Sequence, residues 1–152
     1  MNNRRLDRRT FVASAALVTL LPLGQAYATS ADLEAAIKEV TGGAALRPGR
    51  IKLDIPPLIE NGNTVPLTVS VESPMTEADH VKAIHVFNEK NPQPHVFNAS
   101  LGPRNGKAVV GTRIKLADTQ KVVAIAETSA GEFWSASAEV IVTIAACIED
   151  VN

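Results

Sequence analysis

Residues 65–71 read VPLTVSV, with Val65, Leu67, Val69 and Val71 alternating with Pro66, Thr68 and Ser70. A period of two places the four apolar side chains on one face of an extended strand. The preceding Asn61-Gly62-Asn63 reads as a turn. Pro66 cannot donate to a ladder, so it points to an edge position. The same period recurs on both sides of this segment. IKLDI (51–55) alternates Ile51, Leu53 and Ile55 before Pro56-Pro57 ends it, and KAIHVFN (82–88) sets Ile84 and Val86 opposite His85 and Phe87. AVVGTRIKL (108–116), KVVAIAETS (121–129), EFWSASA (132–138) and EVIVTIA (139–145) follow, punctuated by Asp118-Thr119 and Gly131. About seven short strands with turn residues between them predict an all-β fold, an immunoglobulin-like antiparallel β-sandwich.

One helix precedes the strands. In ADLEAAIKEVTGG, Leu33, Ala36, Ile37 and Val40 fall at helical spacing. Thr29 with Asp32 forms a capping box, and Gly42-Gly43 provides the stop. The stretches ENGNTVPLT and NEKNPQPHVFNASLGPRNGK are rich in loop formers, and the second places His95 in a loop after Pro94.

The opening of the chain predicts export. RRLDRRTFVASAALVTLLPLGQAYA joins a basic start to an apolar stretch from Ala13 to Leu23 and closes on Ala26-Tyr27-Ala28, a pattern that suits signal peptidase. The apolar stretch falls well short of the roughly 20 residues that a spanning helix needs. Arg8-Arg9-Thr10-Phe11-Val12 resembles the twin-arginine signal, with Asp7 and Val12 departing from its usual Ser/Thr and Leu. The predicted organisation is a cleaved signal peptide over 1–28, a sandwich with its helix over 29–144, and a C-terminal arm over 145–152. Twin-arginine export carries folded proteins, often with a cofactor or a co-folded partner. Few cofactor ligands are offered here, so a partner is the expected reason and no cofactor is assigned.

The first 28 residues hold four Arg and one Asp, so removing their +3 takes the formal charge from −1 to −4. That balance argues against nucleic acid or anionic lipid as a partner, and no membrane association is expected after cleavage. The 124 residues left of 152 suffice for one domain.

Chemistry-bearing residues are sparse. His80, His85 and His95 lack metal-ligand spacing and read as surface or half-buried side chains. A blue-copper site would need a His soon after the cysteine, whereas only IEDVN follows it. Trp134 reads as a core or interface aromatic. No catalytic residue and no metal ligand is assigned.

The single cysteine, Cys147, lies five residues from the C-terminal Asn152. In an oxidising compartment it cannot form an internal disulfide, so it is buried and inert, paired to another chain, or used. The final strand is expected to end near Ala145, which leaves the thiol two or three residues past the sheet. Ala145 and Ala146 precede it; Ile148, Glu149 and Asp150 follow. Negative neighbours raise a thiol's pKa, so nothing local activates it. An accessible thiol without its own base suits a handle for other enzymes better than a nucleophile.

The mature chain resembles the SoxY family, the sulfur-carrying subunits of bacterial thiosulfate oxidation. The resemblance lies in ENGNTVPLTVSVESPMTEADHVKAIHVFNEKNP, RIKLADTQKVVAIAE and SASAEVIVTI before the final cysteine. It implies an immunoglobulin-like sandwich paired with a smaller sandwich subunit, SoxZ. It further implies a periplasmic, non-catalytic carrier whose thiol, at the position of Cys147, holds thiosulfate-derived sulfur covalently. SoxXA would load that thiol, SoxB would hydrolyse sulfate from it, and in many bacteria SoxCD would oxidise the remaining sulfane. The family chain typically ends Gly-Gly-Cys-Gly-Gly. Here Ala145-Ala146-Cys147-Ile148-Glu149 makes a stiffer and bulkier arm. That departure keeps open an assembly subunit or paralogue whose cysteine forms an inter-chain disulfide.

Overall fold

A computed structural model of the protein describes residues 28–146. The expected signal segment, apart from Ala28, and the arm residues Cys147 and Ile148 lie outside the described residues. Element order is α1 (Ser30–Thr41), β1 (Leu46–Pro48), β2 (Ile51–Asp54), β3 (Leu58–Ile59), β4 (Val65–Val71), β5 (Val81–Asn88), β6 (His95–Ser100), β7 (Ala108–Ile114), β8 (Gln120–Thr128) and β9 (Phe133–Val142). The strands form two sheets, one ordered β1-β9-β8-β5-β6 with β3 also on β9, the other β2-β4-β7. This is the immunoglobulin-like sandwich that the alternation predicts. The long ladders are antiparallel, while the short β1 and β3 both run parallel to β9.

The core follows from the period of two. Val65, Leu67, Val69 and Val71 of β4 meet Ile84 and Val86 of β5 and Val122, Ala124 and Ala126 of β8 between the sheets. The opposite face of β5, β8 and the start of β9 is apolar as well. There Phe87, Val123, Ile125 and Phe133 receive Leu33 of α1, flanked by Ala36, Ile37 and Val40. The molecule is therefore layered as helix, large sheet, small sheet.

The helix starts and stops where its sequence says. The Thr29 hydroxyl accepts from the Asp32 N–H at 3.3 Å, while the Asp32 carboxylate accepts from the Thr29 hydroxyl at 2.7 Å and its N–H at 2.8 Å. The hydroxyl and then the amide of Thr29 hold the Asp32 carboxyl below its ordinary range. Gly42 ends the helix in the left-handed region, at φ 62°.

Three expectations need correction. Pro66 does not mark an edge strand, because β4 lies between β2 and β7. The local reasoning survives in another form: β2 pairs with β4 only as far as Asp54 opposite Thr68, and Pro56-Pro57 follows. Pro66 thus sits where that side of β4 has no partner strand. His95 is not in a loop but opens β6, which pairs with β5 across an irregularity at Val86/Phe87. EFWSASA and EVIVTIA are one continuous strand, β9, paired with β8 from Phe133–Glu127 to Val140–Gln120. No turn residue separates Ala138 from Glu139, so nothing interrupts the ladder.

Candidate functional site: the root of the C-terminal arm

β9 stops at Val142, short of the end expected near Ala145, because its β8 ladder finishes at Val140–Gln120, and a series of separate backbone bonds continues beyond it. The parallel β3 sets Leu58 opposite Ile141 and Ile59 opposite Val142. The Ile141 N–H donates to Pro57 O at 2.9 Å and the Thr143 N–H to Ile59 O at 3.0 Å. From the other side, the Val142 N–H donates to Thr119 Oγ1 at 3.0 Å. Beyond Thr143 the Gly62 N–H donates to Ile144 O at 2.8 Å, the Leu116 N–H to Gly62 O at 2.9 Å, and the Ala146 N–H to Leu116 O at 3.0 Å. These bonds draw residues 57–62, 116–119 and 141–146 into one edge of the sandwich.

The segment around Leu116 is fixed from behind. Asn91 accepts from the Ala117 N–H at 3.0 Å and donates through Nδ2 to Lys115 O at 2.9 Å. Gln120, almost wholly buried, donates through Nε2 to Asn91 Oδ1 at 2.9 Å and to Asp118 O at 3.1 Å, and accepts from the Lys90 N–H at 2.8 Å. A buried amide with its donors and acceptors matched rigidifies what it touches. Beside it, the Thr119 N–H and the Lys90 ammonium hold the Asp118 carboxyl below its ordinary range.

Of the expected arm residues, Ala145 is exposed and Ala146 half-buried, with its amide tied to Leu116. Cys147 and Ile148 lie outside the described residues. Around the root, Leu58, Ile141 and Ile144 remain 58%, 54% and 64% exposed. Large apolar side chains grouped on one edge mark a surface suited to covering by another chain.

The histidines stand elsewhere. No histidine lies on β9 or on the strands it pairs with. The His85 and His95 rings come within 6.0 Å on β5 and β6, with Phe87 5.0 Å from His95. His80 is turned instead to Thr76 O, 3.0 Å from its Nδ1. Burial, and then the charge on His95, push His85 below its ordinary range, against a smaller opposing effect from Glu127. Among the described residues no group of three or more His, Cys, Asp or Glu could hold a metal ion. Trp134, expected as a core or interface aromatic, is half-buried beneath Arg50, whose guanidinium carbon is 4.7 Å from the ring centre.

Sequence reasoning missed Gly62, Leu116, Asn91 and Gln120. The one signal pointing this way, Asn61-Gly62-Asn63, reads locally as a turn and says nothing of what packs on it.

The family model for the sulfur oxidation protein SoxY matches residues 37–147. No curated protein matched the chain. Among solved structures, the sulfur carrier protein SoxY from Chlorobium limicola f thiosulfatophilum aligns at 29% identity and TM-score 0.64, covering 76% of this chain and all of that one. A superoxide reductase (neelaredoxin) from Ignicoccus hospitalis aligns at 19% identity and TM-score 0.56, over 62% of this chain and 80% of its own. The superoxide reductase from Nanoarchaeum equitans aligns at 15% identity and TM-score 0.53, over 63% of this chain and all of its own. The two reductases share the fold.

Proposed function

We propose, since the chain belongs to the SoxY family of sulfur oxidation proteins, that it carries thiosulfate-derived sulfur on the thiol of Cys147. The observation that carries this reading is the family match running through to Cys147 itself, one residue past the last anchored amide of an exposed edge. In loading, the Cys147 S–H proton leaves, Sγ bonds to the outer sulfur of thiosulfate, and two electrons pass to a haem partner of SoxXA type. In hydrolysis by a SoxB-type partner, water breaks the bond between the two thiosulfate-derived sulfurs. Sulfate and two protons depart and a deprotonated persulfide stays on Cys147. A SoxCD-type partner would oxidise that sulfane further.

The chain supplies the handle and its placement, and the visiting enzymes supply the catalysis. Export by the twin-arginine route puts the carrier in the periplasm, and no helix among the described residues is long and apolar enough to cross a membrane. The apolar edge of Leu58, Ile141 and Ile144 supports pairing with a SoxZ-like sandwich subunit. The Ala-Ala-Cys-Ile-Glu ending favours a second reading, an assembly subunit whose Cys147 makes an inter-chain disulfide.

Intact-mass analysis of native protein from thiosulfate-grown cells separates the two. Carriage predicts a small, reductant-labile increment on Cys147, lost in Cys147→Ser together with thiosulfate-dependent electron flow. The variant should keep its unfolding free energy within about 0.5 kcal/mol of the wild type if the thiol serves no packing role. A mass equal to two joined chains would establish the disulfide reading. A free thiol that alkylates only after unfolding would remove both.

A further inference from the structure

We propose that Gly62 is the seat of the carrier arm, a positioning residue whose missing side chain lets the chain before Cys147 lie against the sandwich. Its purpose rests on the carrier reading; its existence rests on backbone geometry alone. The Gly62 N–H holds Ile144 O, Gly62 O receives the Leu116 N–H, and Leu116 O receives the Ala146 N–H. The circuit closes only because the three backbones approach at side-chain-free distance. A Cβ on Gly62 would stand 2.3 Å from Leu116 O, 2.9 Å from the Ala146 N and 3.1 Å from Val142 Cγ1. The first two are backbone atoms, with no flexible end to swing aside. The φ of Gly62 lies outside the left-handed region, so the glycine answers a need for space and not for an unusual conformation.

Which neighbour would yield can be read from the bracing. Asn91 grips both sides of Leu116, at Lys115 O and the Ala117 N–H, and Gln120 grips Asn91. The segment 144–146 has no comparable support from behind among the described residues. A side chain at position 62 therefore drives its own turn off the braced Leu116 O, and the Gly62 N–H that holds Ile144 O goes with it, which frees Ala146. With the seat intact the thiol is one residue, about 3.8 Å of Cα spacing, from a fixed amide. An enzyme that uses it must close on this edge instead of catching a long tether.

A nitroxide on Cys147 of the mature full chain, purified with whatever subunit accompanies it, reads the seat directly. The wild type should show a restrained spectrum, and Gly62→Ala should convert it to a fast-tumbling one. Gly111→Ala, where a Cβ would meet only Thr68 Oγ1 at an ordinary 3.7 Å, should leave the spectrum unchanged. Should Gly62→Ala fail to fold, amide exchange in the unaltered protein decides: the Ala146 N–H should exchange at least about tenfold slower than in an unstructured peptide. A fully mobile label in the wild type, or an Ala146 amide exchanging at the free rate, overturns the seat. A restrained label on a protein that never acquires an adduct would sink carriage and leave the seat standing.

Discussion

His85 shows how one side chain can be shielded without being satisfied. Both its ring nitrogens are buried and find no hydrogen-bond partner among the described residues, in a cluster with the rings of Phe87 and His95. Burial disfavours the imidazolium, so the folded-state pKa lies below the ordinary value of 6.5. The sign follows: above pH 6.5 both states are neutral and stability is full. As pH falls, the unfolded chain takes up the proton first and stability is lost until the folded pKa is passed. His85→Phe should flatten this fall, visible as urea midpoints that no longer drop between about pH 7 and 5. An unchanged slope would assign it to other groups. Gly62 is the converse case, where adding one methyl is expected to cost about 1–3 kcal/mol by overpacking against backbone.

Among the elements, the helix was the most legible and the edge strands the least. The capping box, the apolar spacing and the glycine stop of α1 each have local causes, and each was visible in the sequence. The seven-residue alternation of β4 was as plain. β6 was hidden because an edge strand is half-exposed and so carries no clean alternation: within it only Val96, Phe97 and Ala99 are shielded, and only partly. β1 and β3 are two or three residues long and owe their existence to β9, which no local pattern can reveal. The arm root was illegible for the same reason, since Gly62 and Leu116 meet Ala146 only after the sheets have folded. Because α1 is joined to the large sheet through one apolar stripe, Leu33→Ala should destabilise the protein by about 2–4 kcal/mol in urea unfolding. If the helix detaches instead of the whole domain weakening, the m-value will fall as well.

For the whole molecule, the layered sandwich leaves the β3/β9 edge apolar and the arm root exposed on it. A companion that binds this edge only in the folded state would raise stability with concentration. Periplasmic extracts should therefore yield the mature chain, beginning near Thr29, together with a second small β-sandwich subunit. Light scattering on the eluted peak should give a heterodimer, and a strictly monomeric mature protein would refute that. Arg8-Arg9→Lys-Lys should keep the precursor inside the cell, as immunoblots of the fractions would show, and undiminished export would exclude the twin-arginine route.

β9 has one more property that follows from its neighbours. It is flanked on one side by β8 over eight registered positions and on the other by β1 and β3. A pull applied at the C-terminus runs along the strand, so it loads those ladders in shear, many bonds at once. The two bonds that hold the tip, Ala146 N–H to Leu116 O and Gly62 N–H to Ile144 O, face the same pull one after another, like a zip. Tugged from its end, the tip would peel open to Thr143 while the strand behind it held fast. The protein thus carries a short compliant leader mounted on a stiff mechanical anchor.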